Sequence, residues 1–268
     1  MFVRSAAPHG SADPDARRSR LVGLVRAGVM HVVVNEKLVS TRVRIASAAH
    51  VAALAVFAVG LFISWSNPEP TIEQMAGAYA AIIVGLVLYN VGQVFLRRYG
   101  PRSRHEAVLA KALKGLDRRY TLIAFASTKL PDYLMVGPGG VQVIVPRAHD
   151  GAISCRGGTW SRDAGAGLKR LSGLFGGTPF GDPSKDAEKG IAKVRQRLVQ
   201  AGIDERSQPP VDGLIVFTNP AAKLRIDGCS YPAIGLKALR NGIRGGKGSR
   251  DRALDDRAAE RVVQALTG

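Results

Sequence analysis

The 268-residue chain has room for one ordinary domain and an added element, and its 38 Lys and Arg against 21 Asp and Glu give a net charge of +17. That balance favours anionic partners, nucleic acid or anionic lipid, and says nothing of fold. Two cysteines without CxxC spacing, Cys155 and Cys229, support neither a zinc ribbon nor a disulfide framework and point to a cytoplasmic, reducing setting. The polar, basic start lacks the early apolar run of a cleaved signal peptide.

Residues 1–44 read as a basic cytoplasmic N-terminal segment, with 8 basic and 3 acidic side chains. Within it, RLVGLVRAGVMHVVV is apolar at mixed spacing with basic punctuation. It reads either as an interfacial helix on anionic lipid or as an extension of the first spanning helix. Residues 45–97 form a transmembrane helical hairpin. Up to Leu96 the block has no Lys or Arg and only two Glu, whereas residues 97–268 carry 30 basic and 16 acidic side chains. Residues 45–66 and 75–96 are each long enough to cross a hydrocarbon core, which takes about 20 apolar residues in a helix. Between them lies NPEPTIEQ, a short loop with two prolines. Arg42 and Arg44 precede the first helix; Arg97, Arg98, Arg102 and Arg104 follow the second. The positive-inside rule then puts both termini, and the domain that follows, on the cytoplasmic side of an inner membrane. Gly77, Ala81 and Gly85, at four-residue spacing, offer a close helix contact. His50 is read either as an intramembrane site or as a residue facing the neighbouring helix or the interface.

From residue 102 to 244 the pattern is that of an α/β domain. HEAVLAKALKGL carries a helical apolar stripe, and YTLIAF, DYLMV, VQVIV and AISC follow as short strands, with Trp160 closing the run. Residues 161–181 are loop-like, basic and glycine-rich. DPSKDAEKGIAKVRQRLVQAG starts a helix with Asp182 as cap and Pro183 at its first position. VDGLIVF is a buried strand, another lies near 224–226, and IGLKALRNGI reads as a short helix. Residues 245–268 are a basic linker and a final amphipathic helix. Lys169, Arg170, Lys185, Lys189, Lys193, Arg195 and Arg197 read either as a phosphate-binding face or as a solvated face near an anionic leaflet.

This order of segments resembles the nuclease-related domain (NERD) family. The likeness rests on Glu106 in RHEAVLAKAL, Asp132 in PDYLMVGPGGVQVIV, Trp160, the helix start DPSKDAEK, and VDGLIVF. The resemblance implies a restriction-endonuclease-like α/β sandwich attached to the transmembrane hairpin, and a site built on Glu106, Asp132 and the position of Arg147. A nuclease of that kind uses carboxylates to hold Mg²⁺ against the scissile phosphate. Where the family pattern ends a strand with Glu-x-Lys, this chain has Val145 and Arg147. Valine ligates nothing, and arginine is a poor proton acceptor. Asp132 is the one metal ligand expected if there is any; Asp150 and Asp182 are the acids that could step in. The expectation is a membrane-anchored NERD-like protein without catalytic activity and without a cofactor, binding or scaffolding at the cytoplasmic membrane face. Its candidate partners are the membrane, nucleic acid or anionic lipid, and a protein in a membrane complex. The alternatives are an active Mg²⁺-dependent nuclease with a rearranged site and a structural subunit of a membrane complex.

Overall fold

The structure, a computed structural model, describes residues 30–66, 69, 71–101, 104–163, 180–245 and 254–268. In chain order the elements are β1 (His31–Val34), α1 (Glu36–Ser66), α2 (Ile72–Tyr99), α3 (Glu106–Ala112), β2 (Thr121–Ala124), β3 (Tyr133–Gly137), β4 (Gly140–Arg147), β5 (Gly151–Arg156), β6 (Thr159–Asp163), α4 (Pro183–Gln200), β7 (Val211–Phe217), β8 (Ala222–Asp227), β9 (Ala233–Gly235), α5 (Leu239–Arg244) and α6 (Asp256–Thr267).

A six-stranded mixed sheet runs β1-β2-β3-β4-β7-β9, and a three-stranded sheet runs β6-β5-β8. Strand side chains alternate between faces, so the large sheet builds two cores. Leu134, Val143, Val145, Ile215 and Phe217 pack with Ala187, Ile191 and Val194 of α4 and with Val262 and Leu266 of α6. On the other face Leu122, Tyr133, Met135, Ile144 and Val216 pack with Leu109, Leu239 and the base of the two long helices. The fold is thus mixed α/β, with helices on both faces of the sheet. Gly190 lets α4 approach the sheet: a Cβ there would lie 2.7 Å from Val143 Cγ1.

Both long helices are apolar and long enough to cross a membrane, and little of their apolar surface is covered within the chain. Val51, Leu54, Phe62, Trp65, Ile83 and Val94 are all well exposed. The residues of α1 buried against its neighbours, Val39, Ala46, Ala53 and Gly60, recur every seven positions, as do Gly85, Gly92 and Tyr99 of α2. A seven-residue repeat keeps one seam facing the partner helix. Gly60 meets Ala81, Gly85 lies under the Phe57 ring, and Gly92 lies under His50. The four-residue stripe expected from sequence is therefore only half right, since Gly77 has nothing near it. His50 faces the neighbouring helix: its Nδ1 lies 2.8 Å from Ala46 O, and its ring meets Tyr89 edge-on at 5.2 Å.

Three other expectations are corrected. His31–Val34 is neither an interfacial helix nor a helical extension but an edge strand, parallel to β2. Asn35 then turns the chain into α1; its Oδ1 accepts from Leu38 N and its Nδ2 donates to Ala126 O. The short helix expected over 234–243 starts two residues later, as a 3-10 turn at Leu236–Ala238 that runs into α5, because Ala233–Gly235 pairs with β7. Cys155 and Cys229 are joined in a disulfide, with Cα atoms 6.1 Å apart. The parallel pairing of β5 with β8 brings the two cysteines together across 74 residues, which sequence spacing alone does not disclose.

Candidate functional site

A cleft of about 920 Å³ lies where the end of α2 meets the ends of β3 and β4. Asp132, Val145 and Arg147, singled out from the sequence, line it, together with Arg97, Arg98, His105, Asp150, Arg162 and Asp186. β3 pairs with β4 only as far as Tyr133 opposite Ile144, so Val145–Arg147 run on beyond β3 with β7 as their remaining neighbour. Pro146 sits on that freed edge, where a missing N–H is tolerated.

Arginine occupies each aspartate. Arg98, the penultimate residue of α2, donates from Nε (2.9 Å) and Nη2 (2.7 Å) to Asp132 Oδ1, and from Nη2 to Leu130 O. Arg147 pairs with Asp186 on the first turn of α4. Arg162 pairs with Asp150 at 2.5 Å. Asp182, the other acid considered, caps α4 by accepting from Ser184 N and Lys185 N. Glu106 does not line the cleft; it pairs with Arg104 and accepts from the Tyr133 hydroxyl at 3.4 Å. Tyr133 in turn accepts from His105 N at 2.7 Å. Burial pushes the Tyr133 hydroxyl far above its usual value, so it stays a neutral donor. Val145 is 7 % exposed and packs into the α4-side core, where it offers no ligand. Among the described residues no group of three or more His, Cys, Asp or Glu is placed to hold a metal ion. Trp160 donates from Nε1 to Ser184 Oγ at 2.8 Å, tying the small sheet to the start of α4.

Of the basic face read from sequence, Lys169 and Arg170 lie outside the described residues. Lys185, Lys189, Lys193 and Arg195 are exposed along α4 and do not line this cleft. Sequence reasoning missed Arg98 as a site residue and read it only as a flanking charge. The one available signal was an arginine at the very end of a long apolar helix, just before the α/β segments begin.

His105 carries a pH dependence. Burial lowers its pKa below 6.5, with Glu106 and Asp132 partly opposing. The unfolded chain therefore binds the proton more readily than the folded one. Stability is unaffected above pH 6.5, falls as pH drops through that value, and levels off only below the folded pKa. Thermal melting of full-length His105→Gln is expected to fall less than wild type between neutral pH and about pH 5. Parallel melting curves at both pH values would contradict this.

No family model matches the chain, and searches of curated proteins and of solved structures likewise found no match.

Proposed function

We propose that this is a membrane-anchored NERD-like protein whose restriction-endonuclease-like domain sits at the cytoplasmic membrane face and binds or scaffolds there without metal-dependent cleavage. The observation that carries the reading is the fate of Asp132, the one expected metal ligand. Its Oδ1 takes two hydrogen bonds from Arg98. A cation at that oxygen would have to compete with a guanidinium already in place, and Val145 supplies no second carboxylate. The helix bearing Glu106, the β3–β4 hairpin, α4 and a β7 strand parallel to β4 follow the order that the family resemblance implies.

Membrane spanning is supported by two uncharged runs whose exposed apolar surface far exceeds what a water-facing helix pair tolerates. The cytoplasmic side is supported by the arginines at the base of both helices. One observation favours the opposite side: the Cys155–Cys229 bridge is a bond of oxidising compartments. Two measurements test the reading. In inverted membrane vesicles the domain should be open to added protease, and in right-side-out vesicles protected; the reverse pattern assigns it to the oxidising side. Mn²⁺ should leave the melting of the detergent-solubilised chain unchanged. A Mn²⁺-dependent rise that vanishes in Asp132→Ala would show a metal site at Asp132 and contradict the reading.

A further inference from the structure

The cleft is built into the joint between the long helices and the domain. Val39 and Tyr99, at the bases of α1 and α2, are buried in the domain core. Tyr99 packs on Phe125 at 5.6 Å and Phe125 on Tyr133 at 5.3 Å. Only Asn35 lies between β1 and α1, and the base of α2 is held in the core by Tyr99, so the cleft lies at a fixed level against α2. That level is set by the helix itself. Val91 and Val94 are exposed apolar side chains, and Val94 lines the cleft mouth. Arg97, one turn further on and also in the lining, is exposed. One turn is a rise of about 5 Å, and over it the surface passes from hydrocarbon-like to cationic. In a spanning helix that step marks the headgroup phosphates.

Among the described residues of the lining, four arginines, Arg97, Arg98, Arg147 and Arg162, face three aspartates, Asp132, Asp150 and Asp186. Arg97 has no ion pair among the described residues. Arg147 is only partly committed: it donates to Asp186 and to Pro146 O, and its Nε has no hydrogen-bond partner. A buried guanidinium N–H without a partner is unfavourable and would gain from a small rotation onto a ligand oxygen. One surplus cation suits a monoanionic phosphodiester. It does not suit a nucleic-acid strand, whose successive phosphates would meet three carboxylates.

We propose that this cleft is a binding site for the phosphodiester headgroup of an anionic phospholipid, held between Arg97 and Arg147, with the acyl chains lying along Val94 and the lower part of α2. The inference rests on the reading that the hairpin spans a membrane, and it names what the anchored domain binds.

The test uses the full chain, released from membranes of phosphatidylglycerol and phosphatidylcholine into a mild zwitterionic detergent, with retained lipid counted by native mass spectrometry. Arg97→Gln and Arg147→Gln are compared with Arg44→Gln, an exposed arginine at the base of α1 outside the cleft. Thermal melting confirms that each variant is folded. One phosphatidylglycerol per chain is expected, in preference to phosphatidylcholine. Its retention should fall about tenfold in Arg147→Gln and in Arg97→Gln, as expected for the loss of one charged contact. Arg44→Gln should retain it, and inorganic phosphate should not displace it. Equal loss in Arg44→Gln would mean diffuse surface attraction and overturn the site. Displacement by inorganic phosphate would make the ligand a soluble phosphate and overturn the lipid. Retention of both lipids alike, or of neither, would overturn it as well. A chain absent from the membrane fraction to begin with contradicts the anchoring reading instead, so the two failures are distinguishable.

Discussion

A chain cut back to residues 102–268 will not hold a stable domain. The helical hairpin and the α/β domain share a core, and the cut removes part of it. Strand β1 is lost from the edge of β2, where His31–Val34 pair with Thr121–Ala124. Met30, Val39 and Tyr99, exposed by 4, 2 and 3 %, leave the cluster that holds Leu109, Phe125 and Tyr133. Three fully buried side chains of this size contribute about 1.5–3 kcal/mol each, together about 5–9 kcal/mol. A domain is typically stable by about 5–15 kcal/mol, so the loss is of the same order as the whole. Phe125 suffers most directly. Its backbone is left-handed, with φ +53°, uncommon for a bulky side chain, and the Tyr99 ring is one of the two it packs between. The fragment should melt without a cooperative transition and be cut rapidly by chymotrypsin, whereas the full chain in detergent should melt cooperatively and resist cleavage. A fragment from 102 that melts as sharply as the full chain would show the domain to be independent of its anchor.

The second large effect is at Gly140, the first residue of β4. Its φ of +107° is open to glycine alone, and a Cβ there would lie 2.3 Å from Pro210 O. That carbonyl cannot move freely, since it accepts from Val141 N at 2.9 Å and so sets the register of β4 against β7. Backbone strain and overlap together make Gly140→Ala unfavourable by about 3 kcal/mol or more, which lowers the melting temperature of a chain this size by roughly 6–12 °C. Gly157→Ala is the comparison: φ is +54° with nothing within 4 Å, so the shift should be about a third as large. Equal shifts would mean that the Pro210 contact does not constrain the strand.

How much of this was legible in the sequence depends on the range of the interaction. The helical hairpin could be read because two long uncharged runs are separated by a short loop with two prolines. Strands β2, β3, β4 and β7 of the large sheet and the α4 start at Asp182 were legible from local apolar runs and a local cap. β1 was not, because four residues gain their strand character only from a partner about ninety positions away. The helix seam was misjudged because small residues occur at both four- and seven-residue spacing, and packing alone selects between them. At the candidate site the missing carboxylate at Val145 was visible. The arginine on Asp132 was not, since Arg98 is 34 residues earlier, in another element, and no spacing rule links a helix terminus to a strand start. The disulfide escaped for the same reason.

The proposal that the site has lost its metal chemistry is tested most directly by a cleavage assay on the full-length chain in detergent, with DNA and RNA substrates and added Mg²⁺ or Mn²⁺, run beside Asp132→Ala. With Asp132 held by Arg98 and Val145 in the core, wild type and Asp132→Ala should be equally silent. Metal-dependent cleavage by the wild type that disappears in Asp132→Ala would contradict the account and make this protein a working nuclease.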